Sequence, residues 1–198
     1  IDVMVDMEKG SISITNNGSG IPIIMHETEK VYVPQLIFGT LLTSSNYDDS
    51  EERITGGRNG YGAKLTNIYS SSFSLSVKDP QNKKKMKWTW ENNMQLTGTN
   101  SPTSYSGKEG ETSVCFVPDW ERFGMSGMTH DMFKLIQKRV WDTAVCRSYR
   151  GIGGYWWLYI QCGWGELGNQ SKFYRSGNWH TYLSSYGFCE AHRQCNQN

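Results

Sequence analysis

Two glycine-containing segments of the chain carry side chains suited to binding a nucleotide. The first is Asn16-Asn17-Gly18-Ser19-Gly20, where two glycines one residue apart let the backbone approach a flat ligand without a Cβ clash. An asparagine offers both a donor and an acceptor, which suits the edge of a purine base. Because Asn-Gly is also a common turn dipeptide, an ordinary turn between a strand and a loop is the alternative.

The second segment runs from Gly56 to Lys64 and has glycines at 57, 60 and 62 ahead of a predicted helix start. Free N–H groups and the helix dipole at such a start favour a phosphate. Lys64 lies one turn into the helix and can add a charge contact. The segment is not a Walker A loop, because Leu65 stands where that motif needs Ser or Thr. A flexible linker is the alternative.

A third polar segment lies between these two and contains Ser44, Ser45 and Asn46. Its hydroxyl and amide groups can serve ribose or phosphate oxygens. It belongs to a polar, Gly-rich stretch from Thr43 to Gly62 without core periodicity. A loop of that length inside a compact domain is usually a functional lid or disordered.

The elements that position these segments follow from apolar spacing. Alternation predicts a hairpin over residues 1–14, and later strands over 73–77, 86–90 and 112–117. Helices are predicted from Pro34 to Leu42, from Ala63 to Tyr69, and after a cap at Thr129. On the last helix, the predicted core face consists of Met132, Phe133, Leu135, Ile136, Val140 and Ala144. The predicted fold class is α+β, with a mixed or antiparallel sheet and helices on one face, in two layers.

Composition places the chain among globular proteins. It has 198 residues, a net charge of +1, 37% hydrophobic and 20% charged residues, so no basic excess indicates nucleic-acid binding. No apolar run approaches the length of a membrane-spanning helix, and no secretory signal opens the chain. Because the chain starts at Ile1 within a predicted strand, we expect a fragment of a longer protein.

Composition also changes sharply near residue 146. Residues 146–198 hold four of the five cysteines, half of the eight tryptophans and only two acidic residues, Glu166 and Glu190. The expected organisation is therefore a partial domain over 1–145 and a tail over 146–198. A shifted reading frame, a lineage-specific insertion or a disordered tail would each explain the change.

A lysine cluster at the predicted turn between strands 73–77 and 86–90 has two interpretations. Lys83, Lys84, Lys85 and Lys87 alternate in part with Trp88 and Trp90, a pattern that can contact DNA. A solvated hairpin tip is the interpretation that the balanced net charge favours.

The motifs in their order resemble one family. The chain reads NNGSGIP from Asn16, YVP from Tyr32, LTSSNYDD from Leu42 and TGGRNGYGAKLTNI from Thr55. These stretches resemble the ATPase domain of eukaryotic-type DNA topoisomerase II, within the superfamily of gyrase, Hsp90, histidine kinases and MutL. The resemblance covers about residues 1–145 and implies a Bergerat-type ATP-binding fold, incomplete at its N-terminus.

The resemblance also implies the roles of particular residues. Asn16 takes the place at the adenine side, and Ser44, Ser45 and Asn46 match the family's nucleotide-contacting Ser-Ser-Asn. Gly57 through Lys64 match the loop that wraps the triphosphate. The implied ATP-binding positions are Asn16, Ser44, Ser45, Asn46, Gly57, Arg58, Asn59, Gly60, Tyr61, Gly62, Ala63 and Lys64. ATP would bring Mg²⁺, and no residue here is predicted as a metal ligand.

The activity that the resemblance implies belongs to an intact enzyme. Two ATPase domains bind ATP, form a homodimer and close a gate around one DNA duplex, while another duplex is broken, crossed and resealed in the nucleus. The family's general base and Mg²⁺-binding Asn lie on a helix before the first strand of this chain, so no catalytic residue is assigned here. The expectation is that the isolated chain hydrolyses ATP poorly or not at all. A nucleotide-binding module without turnover, structural or regulatory, is the alternative.

Overall fold

The computed structural model of the chain describes residues 1–41, 60–148, 158–162 and 170–173. Three α-helices lie within them: α1 (Val33–Gly39), α2 (Tyr61–Ile68) and α3 (His130–Ser148). The strands are β1 (Asp2–Asp6), β2 (Ser11–Asn16), β3 (Ser70–Asp79), β4 (Lys84–Glu91), β5 (Gln95–Thr99), β6 (Thr103–Ser104), β7 (Glu111–Pro118), β8 (Leu158–Cys162) and β9 (Gln170–Phe173).

These strands form one mixed sheet in the order β5-β4-β3-β7-β2-β1-β8-β9, with β6 paired to β4. All neighbours are antiparallel except β1 and β8, which run parallel. The first hairpin pairs Val3 with Ile14 and Val5 with Ile12, as the alternation of the sequence predicts. Strand β7 lies between β3 and β2, so a strand from late in the sequence occupies the middle of the sheet.

The sheet buries one face, and strand β3 carries the centre of that face. Its Phe73, Leu75 and Val77 are 1%, 0% and 0% exposed. They lie opposite Trp90, Trp88 and Met86 of β4, which are buried as well. Successive strand residues point to opposite faces, so the intervening serines of β3 lie on the other side of the sheet. The long alternating run Ser70–Asp79 therefore has one apolar and one polar face.

Helices cover the buried face in two groups. Over β3 and β4, Tyr32 at the N-cap of α1 packs on Trp88, and Phe38 of α1 packs on Phe73, with ring centroids 6.5 and 6.1 Å apart. Over β1 and β2, Phe133 of α3 joins Val3, Val5 and Ile12 in a second apolar cluster. Phe116 of β7 packs against both clusters and links them. The predicted α+β class, with its helices on one face of a mixed sheet, is confirmed.

Helix α3 follows the sequence prediction with one correction. The Thr129 hydroxyl oxygen accepts a hydrogen bond from the Met132 N–H at 3.2 Å, which is the predicted N-cap. The side chains of Met132, Phe133, Ile136 and Val140 pack on the second cluster. Leu135 was predicted on that face but is 49% exposed. At 100° per residue it lies about 200° from Phe133, so it points away from the sheet.

Four strands are not predicted by the sequence pattern: β5, β6, β8 and β9. Strands β8 and β9 lie within the tail of residues 146–198, and β8 pairs with the edge of β1. An unpaired strand edge offers free N–H and C=O groups to any extended segment, which accounts for pairing that composition does not signal. The boundary at residues 145 and 146, and the origin of the tail, stay predictions. No helix in the described ranges is both long and apolar enough to span a bilayer.

The centre of the buried face makes a prediction about stability. Replacing Leu75 by alanine (Leu75→Ala) is expected to lower the free energy of unfolding by about 2–5 kcal/mol, because it leaves a cavity among large side chains. Ser76→Ala, on the other face of the same strand, is the control and is expected to change it by less than about 0.5 kcal/mol. Urea unfolding of both variants measures the difference. Equal losses would contradict the one-sided burial.

Candidate nucleotide-binding site

Asn16 stands at the end of β2, where the sheet gives way to the first glycine segment. It is exposed, and it lies directly opposite Thr112 of β7. Its Oδ1 accepts a hydrogen bond from the Gly18 N–H at 2.5 Å, which closes a tight local turn. Among the described residues its Nδ2 has no hydrogen-bond partner, so the amide keeps a donor for a ligand.

Between the two helical groups, the helix-bearing face of the sheet holds a strip that leads to Asn16. Ile12, Ile14 and Asn16 share that face because they alternate along β2. Ile12 is 8% exposed beneath α3, whereas Ile14 is 39% exposed. An apolar floor that ends at an amide and a hydroxyl, here Asn16 and Thr112, suits a flat heteroaromatic ring.

Two contacts hold the glycine segment in place where it leaves the sheet. Gly20 has a φ of +79°, and a Cβ there would lie 2.4 Å from the backbone oxygen of Lys78. Only glycine accommodates both the conformation and the approach. Three residues later, the Ile23 N–H donates to the Asp79 carboxylate at 2.7 Å. The end of β3 therefore fixes the path of the chain that begins at Asn16.

Asp79 is the charged group on which this attachment depends. It is 2% exposed, and burial alone would raise the pKa of its carboxyl. Hydrogen bonds from the N–H groups of Ile23, Asn82 and Gln81 and from the Asn82 amide outweigh that effect, so the pKa lies below its ordinary value. The carboxylate form is thus the one that the folded chain stabilises.

The second glycine segment is described from Gly60 onward, where it becomes the first turn of α2. Gly60 precedes the helix with a φ of 65°, and no side chain from the described ranges caps the helix. The N–H groups of a first helical turn have no partner within the helix and carry the positive end of its dipole. Tyr61, Gly62 and Ala63 are exposed, and a Cβ on Gly62 would have no neighbour within 4 Å. An anion can therefore approach the backbone of this turn.

Lys64 lies behind that turn rather than in front of it. The residue is 2% exposed, and burial lowers the pKa of its ammonium group. A partly desolvated cation next to a helix start attracts an anion more strongly than an exposed lysine does, because water screens its charge less. The arrangement suits a polyphosphate.

Helix α2 is anchored at its other end by two asparagines. The Asn67 amide, 0% exposed, donates to the backbone oxygen of Phe38 at 3.0 Å and so joins α2 to α1. The Asn93 amide donates to the backbone oxygen of Ile68 at 2.9 Å and to the Asp119 carboxylate at 3.0 Å. Asn93 lies in a turn where Asn92, Asn93 and Met94 all have positive φ, between 47° and 76°. A backbone of this kind persists only where its contacts hold it.

Six of the twelve predicted ATP-binding residues lie within the described ranges: Asn16 and Gly60 to Lys64. The other six, Ser44, Ser45, Asn46, Gly57, Arg58 and Asn59, lie outside them. The structure places Asn16 beside Thr112 on β7 and places Gly60–Lys64 on α2, which contacts the same strand. The ligand contacts of all twelve stay predictions.

Sequence reasoning missed the residues that support these segments. Thr112 carries no motif and gains its position only through the pairing of β2 with β7. Asn93 depends on a contact between residues 25 positions apart. Asp79 belongs to a recognisable turn, but its bond to Ile23 joins residues 56 positions apart. Within the part of the chain that the structure describes, no group of three or more His, Cys, Asp or Glu could hold a metal ion.

Comparison with known proteins places the chain beside type II topoisomerases. It is 51% identical over 155 residues to DNA topoisomerase 2 of Candida glabrata, covering 78% of this chain and 11% of that protein. It is 49% identical over 184 residues to DNA topoisomerase 2-alpha of Gallus gallus, covering 87% of this chain and 12% of that protein. The chain thus spans about a tenth of the length of these relatives. No family model matches the sequence.

Solved structures agree with this comparison. The ATPase region of Saccharomyces cerevisiae topoisomerase II aligns with a TM-score of 0.66 and 41% identity, over 81% of this chain and 41% of that one. The ATPase and transducer domains of DNA topoisomerase II from Balamuthia mandrillaris align with a TM-score of 0.67 and 38% identity over the same shares. The fold and the sequence therefore lead to the same group of proteins.

The attachment at Asp79 makes a prediction about acid stability. A carboxyl whose pKa is lower in the folded chain adds stability above its unfolded pKa and loses that contribution as the pH falls from about 4 through the folded value. Asp79→Asn is therefore expected to lower the free energy of unfolding at neutral pH by about 1–3 kcal/mol and to reduce its further loss below pH 4. Urea unfolding over a pH series measures both effects.

Glu27→Gln is the control, because Glu27 is an exposed carboxylate near the same segment. It is expected to leave the neutral stability within about 0.5 kcal/mol of the parent chain. If the free energy of unfolding of Asp79→Asn equals that of Glu27→Gln both at neutral pH and below pH 4, Asp79 does not hold the glycine segment in place.

Proposed function

The chain belongs to the eukaryotic-type DNA topoisomerase II family as part of its ATPase region, and from this premise we propose that residues 1–145 bind ATP. The observation that carries the proposal is the start of α2, where an exposed and uncapped first turn stands in front of the buried Lys64. Backbone N–H groups and a desolvated cation at one place are the elements of a polyphosphate site.

The adenine end of the proposed site is the strip that leads to Asn16. The amide of Asn16 and the hydroxyl of Thr112 would meet the polar edge of the base, while Ile14 would lie against its face. Asp79 and Gly20 would act indirectly, by keeping the glycine segment at the edge of the base. Ser44, Ser45 and Asn46 are proposed to contact the nucleotide as the family motif implies.

The phosphate end of the proposed site is the segment Gly57–Lys64. The N–H groups of the α2 first turn would bind phosphate oxygens, and the Lys64 ammonium would neutralise part of their charge. Mg²⁺ is proposed to enter with the triphosphate, as the resemblance to the family implies. Bound Mg²⁺ would supply charge neutralisation to the phosphates.

The proposed activity of the whole protein follows from its relatives, which are named as DNA topoisomerases. It would change DNA topology through ATP-dependent breakage of one duplex, passage of another and resealing. ATP would favour the closed state of a homodimer by binding it more tightly than the open one. DNA would be the substrate, and the nucleus the location. The alternative of a nucleotide-binding module without turnover is not favoured by relatives that carry an enzyme's name.

The position of Lys64 makes the first prediction from this proposal. Lys64→Gln is expected to weaken binding of a non-hydrolysable ATP analogue about 10- to 100-fold, since it removes a charge-assisted hydrogen bond. Adenosine binding is expected to stay within about twofold, because the base and sugar lie away from the ammonium group. Titration calorimetry with both ligands measures the two affinities. Lys9→Gln, which removes an exposed lysine, is the control.

Two results would contradict the assignment of Lys64. One is equal weakening of adenosine and the ATP analogue, which would indicate a general loss of structure. The other is unchanged affinity for the ATP analogue, which would exclude a phosphate contact.

A second prediction concerns Gly62, where one substitution is expected to weaken binding of the ATP analogue without lowering the stability of the fold. Gly62→Ala is expected to keep or raise the stability of the chain by up to about 1 kcal/mol, because alanine favours the helix and meets no atom there. The same methyl group would occupy the space in front of the first turn and weaken binding of the ATP analogue at least about tenfold, a loss of about 1.4 kcal/mol. Thermal unfolding and calorimetry provide the two measurements.

Gly127→Ala is the matched control for Gly62→Ala. A Cβ at Gly127 also has no neighbour within 4 Å, and Gly127 lies far along the chain from the motif. Its affinity for the ATP analogue is expected to match the parent chain. A Gly62→Ala variant that binds normally would show that no phosphate approaches this turn.

A further inference from the structure

Two exposed lysines lie on the face of β4 that the helices leave open, and two more line a cavity at the turn before β4. Lys83 is in the turn between β3 and β4, Lys85 and Lys87 lie on the outer face of β4, and Lys108 comes from the loop before β7. We call Lys83, Lys85, Lys87 and Lys108 the lysine strip. Lys85 and Lys87 are two apart on β4, so they share its outer face at a spacing of about 7 Å.

The charges of the lysine strip are not neutralised within the described part of the chain. The ion pairs found there use Lys9, Lys78, Arg122 and Lys138. Two carboxylates of the neighbouring strands are already occupied, since Glu111 binds Lys78 at 2.8 Å and Asp79 accepts bonds from the backbone and from Asn82. Two exposed carboxylates remain near the strip: Glu109, which lines the cavity beside Lys108, and Glu91, at the far end of β4. A chain with a net charge of +1 therefore concentrates several positive charges at this place.

A cavity of about 1000 Å³ opens beside Lys83 and Lys108. Apart from the carboxylate of Glu109, its other polar lining groups are hydroxyls and amides, from Asn17, Ser19, Gln81, Ser104, Tyr105 and Ser106. Thr103 of β6, opposite Lys85, adds a further hydroxyl along the strip. Lysines combined with hydroxyl and amide donors are the groups with which proteins bind phosphate and sugar of nucleic acids.

The neighbours of the strip identify the chemistry of the partner. Trp88 and Trp90, which alternate with the lysines in the sequence, are 0% and 2% exposed on the opposite face and cannot stack on bases. The side chains that share the outer face with Lys85 and Lys87 are polar or charged: Ser74, Ser76, Lys78, Thr89 and, at the far end of β4, Glu91. A lipid surface or an acidic peptide would need apolar anchors beside the cations. A phosphodiester backbone needs none.

We propose that the lysine strip and its cavity bind the backbone of a DNA duplex, without reading its sequence, at a surface that adjoins the first glycine segment through Asn17, Gly18 and Ser19 but does not include Asn16 or Lys64. The proposal rests on the proposed function in one respect, since it takes DNA as the partner. It adds a surface on the outer face of the sheet, away from the helices that flank Asn16 and Lys64. Gly110, at the end of the Lys108 loop, packs so closely on Ser19 that a Cβ would lie 2.3 Å from its backbone carbon. The DNA surface therefore shares a wall with the glycine segment.

Fluorescence anisotropy of the 198-residue chain with a labelled duplex of mixed sequence tests this site. Non-specific affinity is expected, with a Kd on the order of 10⁻⁴ to 10⁻⁶ M. Four phosphate contacts predict a slope of about −3 to −4 for log K against log salt, which is roughly a 100-fold loss between 50 and 200 mM salt. A quadruple variant, Lys83→Gln, Lys85→Gln, Lys87→Gln and Lys108→Gln, is expected to bind at least tenfold more weakly at 50 mM salt and to have a slope near zero.

The matched control is a second quadruple variant, Lys9→Gln, Lys30→Gln, Lys134→Gln and Lys138→Gln, which removes the same charge from exposed lysines elsewhere. Binding by the control within about twofold of the parent supports the site. An equal loss in both variants overturns it, because only net charge would then matter. Tighter binding to anionic phospholipid vesicles than to DNA, lost in the first variant, overturns it in favour of a membrane surface.

The same preparations separate this inference from the proposed function. The first quadruple variant is expected to bind the ATP analogue like the parent chain, since none of its residues belongs to the nucleotide site. If the parent binds the ATP analogue but not DNA, the inference about the lysine strip fails and the nucleotide site stands. If the parent binds DNA through the lysine strip but does not bind the ATP analogue, the inference about the strip stands and the proposed nucleotide site fails.

Discussion

One-sided burial of the sheet is the constraint on which the rest of this structure depends. Phe73, Leu75 and Val77 of β3 are almost fully removed from water, and Phe38 of α1 and Tyr32 at its N-cap pack on this cluster of β3 and β4. Apolar and polar residues alternate along these strands, so burial of the apolar face leaves the polar face to solvent. The helical layer, the strip that leads to Asn16 and the polar outer surface all follow from that division.

The described parts of the two proposed nucleotide-binding segments lie at the margins of this core, and buried polar groups attach them to it. Asp79 holds the exit of the first segment, and Asn67 and Asn93 hold the helix that begins with the second. Buried polar groups are stable only when hydrogen-bonded, so each of these contacts fixes a definite geometry as well as adding stability. The first turn of α2 stays exposed and uncapped while its far end is fixed. That combination lets a ligand complete the helix start without moving the helix.

The two surfaces of the sheet differ in what they offer a ligand. The helix-bearing face presents apolar side chains, with polar groups only where strands end, which suits a base. The outer face presents serines, threonines and lysines, which suit phosphates in water. The lysines on the two sides also differ in exposure. Lys64 is buried, and burial lowers the pKa of its ammonium group, whereas the lysines of the strip are exposed. A buried cation favours one bound anion, while exposed cations favour an extended polyanion whose binding weakens with salt.

The sequence by itself determined the elements whose signals are local. The period-two runs of the first hairpin, β3 and β4, the proline at the start of α1, the Thr129 cap and the glycine motifs each act within a few residues, so the fold class and the family followed from them. Tertiary structure alone decided the rest. Thr112 meets Asn16, Asp79 meets Ile23, and Lys108 lines the same cavity as Lys83, only because segments distant in sequence become neighbours in the fold. The prediction for Leu135 was wrong because apolar character favours burial but does not determine which face of a helix the sheet covers. Local chemistry fixes what a segment can form, and long-range pairing fixes what it touches.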